Sequence, residues 1–447
     1  MDGTLLRRLD EVILGRSHAD VSHCVGGLKM STRFLAGIVV AAGLVAATQL
    51  PRVAQSVEAQ SQEAAPGPAP TTAWGDPDLQ GIWTRDSEEP LQRPAKYKDQ
   101  EFFTDKERAD LDKLRAEIIA RDASKERRTI TGKGSAEQDV AGAYNAEIYT
   151  SHLRLGKRTS MIVEPKDGRL PDLAERAKKE MSELIAYSVA LKQASDVCKN
   201  ARPACRGGKY DPKPSPRRFE TPPYYITSLN GLPGGGGGVI SRSDGPEDRG
   251  HAERCMFSAL PDFGGFRRIV QSKNQVSILY DTSQGQAWIR TVPISNAPHL
   301  PPHVRQWWGD SRAHWEGKTL VIDVTNFSPK SNFNGSHEGL HLVERWTRVD
   351  ADTIEYTVRV EDPTTWVAPW TATHTMKKQD DLGNRIYPEP RCHEGNYGMA
   401  ALLQGARAEE AAFKAGKGED PSKKCLGACG GFAGGFADEG DDANPLR

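Results

Sequence analysis

Residues 341–361 read HLVERWTRVDADTIEYTVRVE. In the second half of this stretch, Thr353–Glu361, apolar side chains occupy every second position: Ile354, Tyr356, Val358 and Val360. A period of two is typical of a strand with one buried face. The short connection at 349–352 predicts that this strand pairs antiparallel with His341–Arg348.

Similar segments lie on both sides of this hairpin. The period of two begins near Phe266, and further strands are predicted at Gln275–Asp281, Ala287–Val292, Thr319–Val324 and Trp370–Met376. Helices are predicted from a capping box at Thr104–Glu107 to about Arg121, from Leu173 to Val197, and near Met399–Lys414. Short strands joined by tight turns predict a mainly β fold with helical additions, in which an antiparallel curled sheet forms a barrel or a sandwich.

The N-terminal region predicts export. An apolar run begins at Phe34 and follows Lys29 and Arg33, so residues 30–59 are interpreted as a signal peptide. Residues 1–29 then form a non-translated or non-native extension, with translation starting at Met30. The alternative is a single N-terminal anchor helix. We expect a periplasmic or secreted protein that contacts the membrane only through the signal segment before cleavage.

The rest of the chain divides by composition. Residues 60–73 read as a flexible lead-in, 74–260 as an irregular and helical region packed on the sheet, 261–415 as the antiparallel β-domain with a terminal helix, and 416–447 as a Gly-rich acidic tail. The formal net charge of -1 gives no support for nucleic-acid binding, and a mean hydropathy of -0.60 argues against a multi-span membrane protein.

Six of the seven cysteines follow the apolar run, and an even number in an exported chain suggests disulfides. Local pairs are predicted for Cys198 with Cys205 and for Cys425 with Cys429. Cys255 would then pair with Cys392, although other connectivities stay open. Zinc binding is the competing interpretation, but the chain has no CxxC motif.

Glu344 is the first candidate for chemistry. It alternates with Leu342 and Trp346, so if those two face the core, Glu344 does too. A buried carboxylate is costly unless it is paired or protonated. Glu344 therefore either forms a structural pair with a buried arginine or lines a polar cavity. Arg345, its neighbour, is a candidate substrate-binding residue.

Residues 307–317 (WWGDSRAHWEG) are interpreted as a loop before a strand, where ligand contacts are common. Asp310 and Arg312 could form a fork for a polar substrate, with Trp308 beside them. The alternative is an ordered turn in which Asp310 caps backbone donors and the tryptophans pack on the sheet.

Residues 391–397 (RCHEGNY) form the third cluster. His393 is the proton-transfer candidate, Glu394 could orient it, and Tyr397 is a further substrate-binding candidate. A disulfide at Cys392 would hold this segment rigid, although a surface histidine beside a structural cystine is an equal alternative.

No metal site or cofactor is predicted. His299 and His303 stand four residues apart, but Pro301 and Pro302 exclude the helix that would bring them together. The chain also has no nucleophile elbow and no haem motif.

Several blocks together resemble a large, mostly uncharacterised family of exported bacterial proteins. The resemblance covers about residues 74–405, and its main blocks are 76–83 (DPDLQGIW), 308–312 (WGDSR), 315–321 (WEGKTLV), 343–345 (VER) and 392–397 (CHEGNY). Residues 313–314 depart from the family, which usually has a glycine there. The resemblance implies export and a shared domain, and it implies no particular activity.

Three functions are compatible with these patterns. The first is an exported lyase or hydrolase that uses His393, Glu344 and Asp310 in acid/base chemistry on a small organic or carbohydrate-derived substrate. The second is a non-catalytic barrel that binds a small ligand among its tryptophans. The third is a structural envelope protein. A model in which Asp310, Arg312, Glu344 and His393 surround one cavity would favour the enzyme.

Overall fold

The computed structural model describes residues 67–85, 87–114, 116–117, 154–201, 205, 207–220, 243–248, 254, 260–264, 266–281, 287–379 and 397–421. All of them fall in one compact unit, Ala64–Arg447. The predicted signal peptide, the extension before it, most of the acidic tail and the 391–396 part of the third cluster lie outside the described residues. None of the described helices is long and apolar enough to cross a membrane.

The fold is mainly β, as predicted, with a few helices. The strands are β1 (Gly81–Arg85), β2 (Ser87–Glu88), β3 (Arg154–Leu155), β4 (Ile162–Glu164), β5 (Phe266–Ser272), β6 (Gln275–Asp281), β7 (Ala287–Pro293), β8 (Asp310–Glu316), β9 (Thr319–Thr325), β10 (His341–Arg348), β11 (Thr353–Glu361) and β12 (Trp370–Lys378). The helices are α1 (105–114), α2 (Glu175–Lys192), α3 (Asp196–Lys199) and α4 (Tyr397–Lys414).

Ten strands form an antiparallel sheet that is nearly closed into a barrel. Nine follow the order β7-β6-β5-β1-β12-β11-β10-β9-β8, and β4 pairs with β12 beside β1. Because direction alternates along nine strands, the first and the last run the same way. The ring therefore closes in parallel, through an isolated bridge between Ile294, just after β7, and Ala313 on β8. The two strands β2 and β3 form a separate pair.

The core is the apolar interior of this barrel. Along β11 the residues Ile354, Tyr356, Val358 and Val360 are all buried, which confirms the predicted alternation. The 349–352 connection joins β10 and β11 as the predicted antiparallel pair, with Trp346 opposite Tyr356. Burial of these alternate apolar side chains is the main force that selects the strands and their register.

Three features of the fold differ from the sequence-based prediction. The region 74–260 supplies two strands to the sheet, β1 and β4. The 307–317 segment is not a loop, because Asp310–Glu316 forms β8. The inward residues of β8 include Ser311 and Ala313. Because these side chains are small and only weakly apolar, the sequence of β8 does not show a clear alternation of apolar and polar residues. Residues 67–73, expected to be flexible, are tied down, since Ala351 N donates to Gly67 O and Thr72 N donates to Asp76 O.

The two ends of the barrel differ. The turn end carries the tight turns at 273–274, 317–318 and 349–352, and the loop end carries the longer connections. The 76–83 motif covers the turn end. Gln271 accepts from Leu79 N and donates to Pro77 O, and Trp83 Nε1 donates to Leu79 O.

Arg348 completes the cover of the turn end. It donates to the carbonyl oxygens of Asp78, Asp350 and Ala351, and its guanidinium lies 4.9 Å from the Trp83 ring. The 76–83 motif and Arg348 together therefore close the barrel at this end.

The helices lie outside the barrel. Thr104 and Glu107 form the predicted capping box at the start of α1, because each backbone N–H donates to the other side chain. The predicted helix from 173 to 197 is interrupted after α2 and resumes as α3. The predicted disulfide between Cys198 and Cys205 is present. Cys255, Cys392, Cys425 and Cys429 lie outside the described residues.

Candidate functional site

Charged side chains interrupt the apolar interior of the barrel. On β7, Arg290 faces inward between Trp288 and Val292, and on β10, Glu344 faces inward as predicted. Their exposed fractions are only 5% and 1%. A charge removed from water to this extent is stable only when it is paired.

The two charges pair with each other across the interior, where Arg290 Nη1 lies 2.6 Å from Glu344 Oε2. Arg290 also donates to Ser311 Oγ at 2.9 and 3.1 Å and to Tyr280 Oη at 3.2 Å. Tyr356 Oη donates to Glu344 Oε1 at 2.8 Å. Five strands thus contribute one residue each to a buried polar network, which we call the interior network.

Burial and neighbouring charges keep Tyr280, Tyr356 and Arg290 of the network protonated. Burial raises the pKa of Tyr280 to about 12, and burial together with Glu344 raises the pKa of Tyr356 well above 10.0. Burial opposes the charge of Arg290, but the Glu344 carboxylate outweighs it and raises the Arg290 pKa. Both phenols therefore stay protonated at neutral pH, Tyr356 donating to Glu344 and Tyr280 accepting from Arg290. Of the two alternatives for Glu344, the structure shows the pair with a buried arginine.

A second polar group lies beside this network. His374 on β12 is 5% exposed, and its ring packs 5.2 Å from Tyr356 and 5.9 Å from Phe263. Burial, aided by the positive charges of Arg85 and Arg267, lowers the pKa of His374 well below 6.5. His374 is therefore a neutral imidazole, and its Nδ1 has no hydrogen-bond partner in the part of the chain that the structure describes.

Arg267 on β5 extends the polar lining toward the loop end. It lies 3.1 Å from Asp262 Oδ1 and 4.5 Å from the Tyr280 ring centroid. Other buried atoms without a hydrogen-bond partner among the described residues include Asp262 Oδ2, Trp315 Nε1, Trp346 Nε1 and Trp370 Nε1. Glu344 Oε2 also accepts no hydrogen bond there, but it is in ion-pair contact with Arg290. Each such atom costs about 1–3 kcal/mol unless water or a bound molecule satisfies it.

Aromatic residues surround the interior at the loop end. On the side of β9 to β12, Phe333 stacks on Trp370 at 6.1 Å, and Trp366 packs against Trp370 at 5.7 Å. On the side of β6 to β8, Trp308 lies 5.0 Å from Tyr280 and 6.4 Å from Trp288. The 76–83 motif covers the turn end, and these aromatic side chains lie at the other end of the interior.

The structure separates the predicted site residues. Glu344 lies in the interior network, and Trp308 contacts Tyr280 at its edge. Asp310 and Arg312 face the outer side of β8, so they do not share a cavity with Glu344. There Asp310 accepts from Arg312 Nη1 at 2.6 Å, from His299 Nδ1 at 2.9 Å and from Leu300 N at 2.9 Å.

The remaining predicted residues also lie apart from the interior. Arg345 is on the outer face and pairs with Glu316 at 2.7 Å. Tyr397 begins α4 and is 94% exposed. His393, Glu394 and Cys392 lie outside the described residues.

The glycine of the 308–312 motif has a conformational role. Gly309 has a positive φ of 66°, and an added Cβ would lie 2.5 Å from Thr325 O. Only glycine allows this approach, so the motif positions Trp308 and the start of β8 against β9.

Sequence reasoning missed Arg290, Tyr280, Arg267 and His374. The signal was present, because Arg290 alternates with Trp288 and Val292, and His374 alternates with Ala372 and Met376. A polar residue at an inward strand position is the observation that identifies each of them. Among the described residues, no group of three or more His, Cys, Asp or Glu side chains could hold a metal ion.

Comparisons with known proteins add little. No family model and no curated protein matches the chain. One similar solved structure is the crystal structure of a secretary abundant heat soluble (SAHS) protein from Ramazzottius varieornatus, at 16% identity over 27% of this chain and 79% of that chain, with a TM-score of 0.19. At this TM-score the likeness carries no argument about this chain.

Proposed function

We propose that this chain is a β-barrel protein that binds a small ligand in the barrel interior at the loop end. The observation that carries the proposal is His374, a buried neutral imidazole whose Nδ1 has no partner among the described residues. Barrels commonly hold small ligands in their mouths, where a few polar groups in an apolar lining set orientation.

The lining indicates a ligand with two parts. The rings of Phe263, Tyr356 and Trp308 favour a planar apolar body. Arg85 and Arg267 act on His374 with positive charge, which favours an acidic head group that accepts a hydrogen bond from the imidazole. The proposed class is therefore small aromatic acids.

Calorimetric titration with three probes tests the proposal: 2-naphthoate, neutral 2-naphthamide and cationic 2-naphthylmethylammonium. We expect 2-naphthoate to bind most tightly, by about tenfold or more over the cation, because each buried charge contact is worth over 1.4 kcal/mol. The His374→Phe variant keeps an aromatic ring but removes both ring nitrogens, and it should lose most of this preference.

His314→Gln is the matched control, because His314 is exposed on the outer face of β8. It should bind 2-naphthoate like the wild-type chain. Absence of binding by all three probes, or equal affinity of His374→Phe and the wild-type chain for 2-naphthoate, would rule out the proposed site.

An exported lyase or hydrolase is the competing hypothesis. The two carboxylates that this hypothesis assigns to catalysis already have partners in the structure. Glu344 contacts Arg290 and Tyr356, and Asp310 accepts from three donors. Incubation with mixed glycosides and esters tests it. Turnover that is lost in His393→Ala with unchanged folding would favour the enzyme. A chain with neither turnover nor probe binding would favour the structural envelope protein.

A further inference from the structure

The barrel has one weak seam, between β7 and β8. Every other neighbouring pair around the ring is joined by an antiparallel ladder. Across this seam the described backbone contacts are the Ile294–Ala313 bridge and the bond from Ser295 N to Ala313 O. The side chains of Arg290 and Ser311 meet on the inner side of the seam, so the seam lies directly outside the interior network.

A row of alternating acids and histidines crosses the outer wall beside this seam. His299, in the segment that follows the seam, lies between Asp310 at 2.9 Å and Asp323 at 2.8 Å. His341 on β10 lies between Asp323 at 3.1 Å and Glu361 at 3.3 Å. The row links the segment after Ile294 to four strands: β8, β9, β10 and β11.

Each histidine in the row uses both ring nitrogens. A neutral imidazole carries one N–H, so it can donate to only one carboxylate, whereas the protonated ring donates to two. The full set of four contacts therefore requires that both rings carry two protons. When a ring loses one, a nitrogen lone pair faces a carboxylate oxygen and that contact becomes repulsive.

The charged groups around the row fix the direction of the effect. Asp310 and Arg312 face it from β8, Asp323 from β9, and Arg359 and Glu361 from β11. The hydrogen bond to Asp323 is the largest influence on His341 and raises its pKa above 6.5. The two contacts of His341 therefore hold below about pH 6.5 and weaken as the pH rises through its raised pKa.

The same contacts keep the Asp323 carboxylate charged at acidic pH. The hydrogen bond from His341 is the largest effect on Asp323 and lowers its pKa below 3.8. The carboxylate therefore stays charged, and keeps its share of the contacts, until the pH falls below its ordinary range.

We propose that His299 and His341 form a proton-operated latch on the β7–β8 seam, and that its release at higher pH opens a side entrance to the interior network. The side entrance rests on the proposed ligand-binding function, whereas the latch itself does not. The latch would make ligand exchange depend on the pH of the surroundings.

Hydrogen exchange of the full chain at pH 6 and pH 9, corrected for intrinsic exchange rates, tests the latch. Peptides covering 294–300 report on the seam through the N–H groups of Ser295 and Leu300, and peptides covering 353–361 report on the barrel. We expect about a tenfold loss of protection in 294–300 between the two pH values, because hydrogen bonds to charged groups are worth about 1.5–3 kcal/mol. Protection in 353–361 should change little.

The variants His299→Gln and His341→Gln should show low protection in 294–300 at both pH values. His314→Gln, at an exposed histidine on β8 whose ring contacts Glu316 at 3.1 Å, should behave like the wild-type chain. Protection independent of pH in the wild-type chain, or full pH dependence in the His299→Gln/His341→Gln double variant, would overturn the latch. If a variant does not fold, the wild-type exchange result decides alone.

Stopped-flow binding of 2-naphthoate at the two pH values tests the entrance. We expect association about tenfold faster at pH 9 in the wild-type chain, matching the expected loss of protection, with no such difference in His299→Gln. Equal association rates at pH 6 and pH 9, in a chain whose hydrogen exchange shows that the seam opens at pH 9, would overturn the proposed side entrance. A seam that opens in a chain that binds no probe at either pH would leave the latch standing and remove the proposed function.

Discussion

Arg290 on β7 and Glu344 on β10 meet at 2.6 Å although two strands, β8 and β9, lie between them around the ring. The pair is therefore not a neighbouring cross-strand pair. It crosses the interior of the barrel and joins two walls. This relationship makes the interior network sensitive to the loss of either partner.

The Glu344→Leu variant should lower the free energy of unfolding by about 3–5 kcal/mol, because it leaves the Arg290 charge buried and unpaired. The Arg290→Met/Glu344→Leu double variant should recover most of this loss, since it removes both charges. Urea denaturation of the wild-type chain, the two single variants Arg290→Met and Glu344→Leu, and the double variant measures the difference. A double variant as unstable as the sum of the two single variants would contradict the pairing.

Arg348 should be important for the turn end. Arg348→Met removes a charged donor from three backbone carbonyls and should lower the free energy of unfolding by about 2–4 kcal/mol. Arg345→Met is the matched control on the same strand, because Arg345 forms a partly exposed pair with Glu316 and should cost less than about 1 kcal/mol. Equal losses in the two variants would refute the role given to Arg348.

His374 should make the protein less stable at mildly acidic pH. Its pKa is lowered in the folded protein, so the unfolded chain takes up this proton at a higher pH than the folded chain does. The contribution of His374 to the free energy of unfolding is fully present above about pH 6.5. It decreases as the pH drops toward the lowered pKa, by at most about 1.4 kcal/mol per pH unit.

Denaturation of the wild-type chain and His374→Phe between pH 7.5 and 5 measures this effect. The variant should show a shallower decline, whereas His314→Gln should follow the wild-type curve. Parallel curves for His374→Phe and the wild-type chain would show that His374 does not titrate in a buried site.

The disulfide between Cys198 and Cys205 lies outside the barrel, at α3. The Cys198→Ala/Cys205→Ala variant should lose about 2–3 kcal/mol through the greater entropy of the unfolded chain, as expected for a short closed loop. Its β-sheet signal in circular dichroism should match that of the oxidised protein. Loss of that signal would mean that the barrel depends on this bond.

Export predicted from residues 30–59 can be checked directly. Expression of the full sequence in a bacterial host should yield a periplasmic protein that has lost those residues. Mass spectrometry of the purified protein locates the new N-terminus. A cytoplasmic product that retains residues 30–59 would contradict the signal peptide.

The sequence alone determined six of the strands, β6, β7 and β9 to β12, and the inward face of the strands whose apolar residues alternate clearly. Alternation along 341–361 predicts the hairpin of β10 and β11, and it predicts the burial of Glu344 before any partner is known. This information is local, since it depends only on the two-residue period of an extended chain. The same alternation is present around Arg290 and His374.

Only the tertiary structure decided which of these residues meet. Arg290 and Glu344 are 54 residues apart in the chain, and their contact depends on the curvature that brings β7 and β10 to opposite sides of one interior. Asp310 and Glu344 carry the same chemistry in the sequence, yet the alternation of β8 turns Asp310 outward to His299. Ring closure and register depend on the summed packing of nine strands, and no single stretch of sequence contains that sum.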